Sequence, residues 1–154
     1  MFIFDGGNSC TFIENRTLFF RNVSNILPIE DESIKKGSQT EKGAYPDSLK
    51  IYKTDAEWKK ILSPDLYAVA READTERAFT GTMWNDETKG TYYCATCGYK
   101  LFESNQKFTS SCGWPSFYEP IAKGSIIYLP DNTLGMKRTE VQCGRCKSHL
   151  GHVF

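Results

Sequence analysis

Residues 93–98 read YCATCG, and residues 141–146 read VQCGRC. Each segment carries a Cys-x-x-Cys pair, in which one tight turn presents two thiolates side by side to a metal ion. Two such pairs provide the four sulfur ligands of a tetrahedral zinc site, which leaves no open position on the ion for catalysis. The sequence therefore predicts one structural zinc ion per chain. Its ligands are Cys94, Cys97, Cys143 and Cys146.

Glycines accompany both pairs. Gly98 follows the second ligand of the first pair, and Gly144 lies inside the second pair. Because glycine has no Cβ, it adopts backbone conformations that other residues avoid. We expect both glycines to ease the turns that present the ligands.

Redox or disulfide roles for the paired cysteines account for less of the pattern. Neither a thioredoxin-like redox pair nor a pair of disulfides explains why the motif occurs twice, near the ends of apolar runs. A Cys2His2 finger could be built from Cys143, Cys146, His149 and His152. That finger needs about a dozen residues between its cysteines and histidines, whereas two separate Cys146 from His149. It would also leave the first cysteine pair without a metal.

Composition limits the class of protein. The 154 residues suit one domain, and 40% of them are hydrophobic, which is enough for one modest core. Nineteen basic and nineteen acidic residues cancel, which argues against a nucleic-acid surface. No run approaches the eighteen apolar residues of a membrane span. The opening segment lacks a charged start and is interrupted by Asp5, so we expect an intracellular protein, with cytoplasm, plastid and mitochondrion undecided.

The chain divides into a leader and a folded domain. Residues 1–23 show neither a helical nor an alternating period, so we assign them no structure. Residues 24–48 are rich in Ser, Glu, Asp, Lys, Gly and Pro, which bury too little apolar surface to offset chain entropy. We therefore expect residues 1–48 to be a disordered, dispensable leader, for which a targeting role stays open. Residues 49–154 form the domain.

The front of the domain shows helix signals. Thr54-Asp55-Ala56-Glu57 is a capping box, which predicts a short helix that ends near Leu62. Ser63-Pro64 predicts the start of a second helix. Beyond Gly81 the character changes to short apolar runs between turn residues, at 90–94, 125–129 and 139–143. We therefore predict a mainly β domain with two short helices at its front.

Two further segments contain residue types that carry chemistry. Cys112 and Trp114 lie in SSCGWPSF, residues 110–117, and His149 and His152 frame a glycine near Phe154. Taken alone, each of these residues is more often a structural group than a catalytic one.

Together, the segments resemble one family. Residues 77–81, RAFTG, residues 93–98, residues 107–117, KFTSSCGWPSF, and residues 141–154, VQCGRCKSHLGHVF, resemble the B-type methionine-R-sulfoxide reductases in the same order and with similar spacing. The resemblance covers about residues 49–154. It implies a mainly β fold of two antiparallel sheets, stabilised by a zinc ion held away from the active site.

The resemblance also implies roles for individual residues. Trp114 would receive the methyl group of methionine sulfoxide, His149 and His152 would donate to the sulfoxide oxygen, and Phe154 would help to wall the pocket. In the family, a cysteine thiolate attacks the sulfoxide sulfur and becomes a sulfenic acid. A resolving cysteine, matched here by Cys112, then forms a disulfide that thioredoxin reduces. The implied partners are oxidised proteins and thioredoxin, and the implied role is protein repair under oxidative stress.

One part of the family pattern has no counterpart. The family's nucleophile lies in an arginine-aromatic-Cys-Ile-Asn segment beyond His-Val-Phe, and the sequence ends at Phe154. We therefore expect a chain truncated before its catalytic cysteine and inactive as it stands. The alternative function is a non-catalytic zinc-binding module for protein interaction. An exposed pocket on a small β domain would favour a protein-bound substrate over free methionine sulfoxide.

Overall fold

A computed structural model describes residues 19–21, 49–135 and 137–153 of the chain. Two helices, α1 (Asp55–Ile61) and α2 (Pro64–Glu72), precede most of the strands. The strands are β1 (Phe19–Arg21), β2 (Thr91–Cys94), β3 (Lys100–Glu103), β4 (Lys107–Phe108), β5 (Ser116–Phe117), β6 (Ile126–Asp131), β7 (Arg138–Cys143) and β8 (His149–Val153).

Local side-chain hydrogen bonds start both helices where the sequence predicts. The Thr54 N–H donates to Glu57 Oε2 at 2.7 Å, and the Glu57 N–H donates to Thr54 Oγ1 at 3.3 Å. This is the reciprocal capping box, which pairs backbone donors that a helix leaves free at its start. Ser63 Oγ accepts from the Leu66 N–H at 3.3 Å, and Pro64 opens α2. The predicted helices are confirmed.

All strand pairs are antiparallel. The orders are β1-β2-β3, β4-β5 and β6-β7-β8. The mainly β class is confirmed, and the described residues form two three-stranded sheets plus a two-stranded hairpin rather than two sheets alone. No helix in the described ranges has the length and apolar character needed to cross a membrane.

The core combines the helices with the sheets. Trp58 of α1 and Val69 of α2 are buried with strand residues in one cluster. At its aromatic centre, the Phe117 ring stacks on Phe102 at a centroid distance of 4.3 Å and meets the edge of Tyr92 at 4.9 Å. Offset and edge-on ring pairs add to the gain from burial.

Strand β1 departs from the sequence prediction. Phe19–Arg21 lies in the leader, residues 1–48, for which we expected no structure, yet it pairs with β2 in the register Phe19 to Cys94. Three consecutive residues are too few to show a period, although aromatic residues favour strands. The rest of the leader lies outside the described residues, so the boundary at residue 49 stays a prediction.

Candidate metal centre and active site

The two Cys-x-x-Cys turns join neighbouring strands in two different sheets. The first connects β2 to β3, and the second connects β7 to β8. The four Sγ atoms lie within 4.8 Å of one another. The distance is 3.8 Å from Cys94 to Cys146 and 3.7 Å from Cys97 to Cys143.

These distances fit a metal ion better than disulfides. Four sulfurs each about 2.3 Å from a central zinc are about 3.8 Å apart, because that is the edge of such a tetrahedron. A disulfide would bring two sulfurs to about 2.05 Å. The predicted ligand set of Cys94, Cys97, Cys143 and Cys146 is therefore assembled as a site for a metal ion.

The thiols influence one another strongly. A hydrogen bond with Cys143 is the largest cause of the pKa shifts of the other three thiols. It raises the pKa of Cys94 and of Cys97, and it lowers the pKa of Cys146. Such a cluster stabilises one thiolate at the expense of its neighbours. A divalent cation that coordinates all four sulfurs removes this conflict, because thiolates are the form that binds metal.

The two turns have the same backbone design. In each, the first cysteine's carbonyl accepts from the N–H four residues on, from Gly98 at 2.8 Å and from Lys147 at 2.9 Å. The residue four positions after the first cysteine has a left-handed backbone in both turns, with φ of +71° at Gly98 and +58° at Lys147. The expectation that Gly98 eases its turn agrees with this conformation. The second turn carries a lysine at the same place.

Gly144 has a different reason to be glycine from the one the sequence suggested. Its φ is not in the left-handed region, but a Cβ at this position would lie 1.9 Å from the carbonyl oxygen of Gly124. The Gly144 N–H also donates to the Ser125 carbonyl at 2.9 Å. The glycine is needed for close backbone approach rather than for backbone conformation.

We expect Gly144→Ala to lower the free energy of unfolding by more than about 3 kcal/mol, because the clash is with backbone that cannot move aside cheaply. Gly98→Ala is the matched control. It has open space around the new Cβ and suffers only the left-handed penalty of about 1–2 kcal/mol. Urea unfolding of both variants tests this, and equal losses would contradict the steric explanation.

A bulge in β8 brings His149 and His152 to one face of the third sheet. Residues three apart on a regular strand face opposite sides. Here the register shifts between Val141 and Gln142, so Leu150 is an extra residue in β8. The two imidazole rings consequently lie 5.0 Å apart between centroids.

Each histidine faces a carboxylate from a neighbouring part of this sheet. His149 Nδ1 lies 2.7 Å from Glu140 Oε1, and His152 Nε2 lies 2.8 Å from Asp131 Oδ2. Arg138 Nη2 donates to the same Asp131 oxygen at 2.7 Å. These carboxylates were not predicted from the sequence, because their alignment with the histidines depends on the β6–β7 and β7–β8 registers and on the bulge in β8.

The pKa values of these groups indicate which nitrogens carry protons. The hydrogen bond from His149 lowers the pKa of Glu140, and hydrogen bonds from Thr133 lower the pKa of Asp131. Both carboxylates are therefore ionised at neutral pH and can only accept. It follows that His149 donates through Nδ1–H and His152 through Nε2–H. Burial is the main cause that lowers the pKa of His152.

Removing the carboxylate that faces His149 should show how much this hydrogen bond stabilises the fold. We expect Glu140→Ala to lower the free energy of unfolding by about 1–3 kcal/mol, because it leaves the buried Nδ1–H without an acceptor. Glu140→Gln keeps an acceptor oxygen and should lose about 1 kcal/mol or less. Chemical unfolding of the pair at pH 7 is the measurement. A Gln variant as unstable as the Ala variant would show that charge, rather than pairing, matters here.

Cys112 and Trp114 lie in the loop that joins β4 to β5. The Cys112 side chain is buried, with its Sγ 2.9 Å from Ser110 Oγ and 3.8 Å from Ser116 Oγ. Trp114 is half-buried, and its Nε1–H donates to the Glu76 carbonyl at 3.0 Å. The indole is thus oriented by its polar edge and is not sealed in the core.

The segment from Glu76 to Asp86 is hydrogen-bonded to this loop and to strand β4. Besides the bond from Trp114, the Phe79 N–H donates to the Gly113 carbonyl at 3.0 Å. At the far end of the segment, Lys107 Nζ donates to the Asp86 carbonyl at 2.7 Å. The structure therefore places the RAFTG segment, 77–81, against the loop that carries Cys112.

Three groups of residues thus stand out from the predicted site. Within each group the residues lie close together. The groups are the four cysteines of the metal centre, the two histidines, and the Cys112–Trp114 pair. Phe154, which was expected to wall the pocket, lies outside the described residues. The assignment of one pocket to Trp114, Cys112, His149 and His152 stays a prediction.

Comparison with known proteins identifies relatives. A family model described as the SelR domain matches residues 62–154. The chain is 50% identical over 107 residues to the peptide methionine sulfoxide reductase MsrB of Agrobacterium fabrum, covering 70% of this chain and 79% of the relative. It is 54% identical over 102 residues to the protein of the same name from Thiobacillus denitrificans, covering 66% and 77%.

A third relative agrees with these two. The peptide methionine sulfoxide reductase MsrB of Leptospira interrogans is 48% identical over 107 residues, covering 70% of this chain and 82% of the relative. The residues matched by the family model contain the four cysteines of the metal centre, the Cys112–Trp114 loop and both histidines.

Proposed function

The chain belongs to the B-type methionine-R-sulfoxide reductases, a family of oxidoreductases, and we propose that its substrate is methionine-R-sulfoxide within proteins. The match of residues 62–154 to the family model carries this proposal, because those residues include Cys112, Trp114, His149 and His152, to which roles are assigned below. The relatives are named peptide methionine sulfoxide reductases, which supports a polypeptide substrate.

Trp114 would bind the substrate's methyl group. The flat face of an indole suits a small apolar group. Its Nε1–H is already bonded to the Glu76 carbonyl, so the ring is held in place. The loop would thereby present the sulfoxide sulfur to an attacking thiolate.

His149 and His152 would donate protons to the sulfoxide oxygen. That oxygen leaves sulfur only as it becomes protonated, which makes proton delivery part of the reaction. Glu140 accepts from Nδ1–H of His149 and Asp131 accepts from Nε2–H of His152, so the second nitrogen of each ring is the one assigned to the substrate. That nitrogen carries a proton to donate only when the ring is in its doubly protonated imidazolium form. Burial lowers the pKa of His152, so less of this ring is imidazolium at neutral pH, but the proton that the imidazolium holds is more acidic and transfers more readily.

The sulfur chemistry would proceed in two steps. A thiolate attacks the sulfoxide sulfur, methionine leaves, and the thiol becomes a sulfenic acid. Cys112 would then attack that sulfenic acid and release water as the disulfide forms. Thioredoxin would return both sulfurs to thiols by exchange.

None of the six cysteines in the 154 residues matches the family's nucleophile. We therefore assign to these residues the substrate site, the resolving thiol and the metal centre, but not the attacking thiol. Zinc is the metal that suits four thiolates, and held in this way it would stabilise the fold and take no part in the reaction.

Binding can be tested without turnover. We expect a peptide with an R-configured methionine sulfoxide to bind the chain at least tenfold more tightly than its S epimer. Trp114→Ala should weaken R binding by about tenfold, because a buried methyl group and its ring contact are lost. Tyr52→Ala, which removes an exposed aromatic ring elsewhere, is the control. Titration followed by NMR measures all of these affinities.

The same titration distinguishes the proposed reductase site from the alternative function, a non-catalytic zinc-binding module for protein interaction. A non-catalytic zinc module would bind the unoxidised peptide as well as either epimer. Equal affinity for oxidised and unoxidised peptide would therefore contradict the proposed reductase site.

A further inference from the structure

Phe79 combines an unusual backbone with an exposed side chain. Its φ is +66°, in the left-handed region, which is an outlier for a bulky residue. The residue is nevertheless 55% exposed. Strained conformations of this kind persist only where the surroundings enforce them, and they cluster at functional sites.

The surroundings of Phe79 are provided by the Cys112–Trp114 loop. The Phe79 N–H donates to the Gly113 carbonyl at 3.0 Å. Gly113 itself has φ of +85°, and a Cβ there would lie 2.8 Å from Cγ of the Phe79 ring. The ring therefore covers Gly113, between the proposed resolving thiol and the proposed substrate tryptophan.

A second contact fixes the ring from the side. Phe79 meets Trp84 edge to face, with ring centroids 5.1 Å apart. The Trp84 carbonyl accepts from Lys107 Nζ at 3.3 Å, which ties Trp84 to strand β4. The fold thus holds an aromatic ring rigidly beside the loop while more than half of its surface faces solvent.

Core packing does not explain this arrangement, because Phe79 is more than half exposed and lies outside the core cluster. We propose that Phe79 is a specificity-determining residue that contacts an apolar side chain next to the methionine sulfoxide of a polypeptide substrate. The inference rests on the proposed function, which puts the sulfoxide at Trp114. Free methionine sulfoxide has amino and carboxylate groups where a peptide has its neighbouring residues, so it offers this ring no apolar side chain to bury.

The test compares two ligands on four proteins. The ligands are a blocked Leu-methionine-R-sulfoxide-Leu peptide and free L-methionine-R-sulfoxide. The proteins are the unchanged chain, Phe79→Asn, Phe79→Tyr and the control Ile61→Ala, which removes an exposed apolar side chain from α1. Asparagine tolerates the left-handed backbone and lacks the ring, and tyrosine keeps the ring.

We expect Phe79→Asn to weaken peptide binding by about tenfold and to change binding of the free amino acid by less than twofold. Phe79→Tyr and Ile61→Ala should bind both ligands as the unchanged chain does. An equal loss for both ligands would mean that Phe79 only shapes the loop, and no loss for the peptide would mean that it makes no contact; either result overturns the inference. Absence of binding of both ligands to the unchanged chain would overturn the proposed function itself, and the inference with it.

Discussion

Cys94→Ser, or exposure to a strong chelator, is expected to unfold the domain. A structural zinc site contributes about 10–16 kcal/mol. Whole domains have a net stability of about 5–15 kcal/mol. The free energy lost with the ion should therefore equal or exceed the net free energy of unfolding of the domain. Circular dichroism during chelation, with metal analysis showing one zinc per chain beforehand, is the measurement.

The geometry explains why so much should depend on one ion. It would join the turn between β2 and β3 to the turn between β7 and β8, and so link two sheets that do not share a strand pair among the described residues. Cys94 and Cys143 are fully buried and Cys97 is half-buried, so four thiols left without a metal would be close together and mostly out of contact with water.

Cys112→Ser is the control for this experiment. Cys112 is buried like most of the ligands, but its Sγ contacts serine hydroxyls rather than the cluster. This variant should keep its zinc and fold. A well-folded protein free of zinc, or one that a strong chelator leaves unchanged, would rule out the metal centre.

The metal centre could be predicted from the sequence because its information is local. Each ligand pair lies within four residues, so recognising two turns was enough to name all four ligands. The start of α1 at Thr54 was predictable for the same reason, since its capping box spans only Thr54 to Glu57.

The carboxylate partners of the histidines could not be predicted in this way. Glu140 and His149 lie in different strands, and whether they meet depends on a one-residue shift in the β7–β8 register. No residue in either strand signals that shift by itself, although Gly151, with φ of +142°, suits an irregular strand. The left-handed backbone of Phe79 was likewise not predicted, because this residue is hydrogen-bonded to Gly113, which is distant in sequence.

The largest expected effect on activity concerns turnover. A polypeptide of these 154 residues, supplied with thioredoxin and the R epimer of a sulfoxide peptide, should not complete more than one reduction per chain. Four of its six cysteines form the metal centre, and Cys10 lies outside the described residues. Among the cysteines that the structure describes, only Cys112 remains near the proposed substrate site.

Cys112 is poorly placed to replace the nucleophile. It is 7% exposed, and its sulfur is hydrogen-bonded to Ser110 Oγ. A resolving cysteine must approach a partner with the two Cα atoms about 5.5–6 Å apart, so it sits beside the attacking sulfur rather than at the substrate. Even if Cys112 attacked, its sulfenic acid would have no thiol partner outside the metal centre, within the described ranges, with which to form the disulfide that thioredoxin reduces.

The experiment compares this polypeptide with one extended by a family-like tail that contains cysteine, and with Cys112→Ser in both backgrounds. We expect repeated turnover only in the extended protein that retains Cys112. Its Cys112→Ser variant should form the sulfenic acid and release one methionine per chain, then stop, because the intramolecular disulfide cannot form. Product counting by chromatography and mass measurement of the oxidised protein distinguish these cases. Repeated turnover by the unextended polypeptide would show that an attacking thiol is already present among its six cysteines, and Cys112→Ser would then identify whether it is this one.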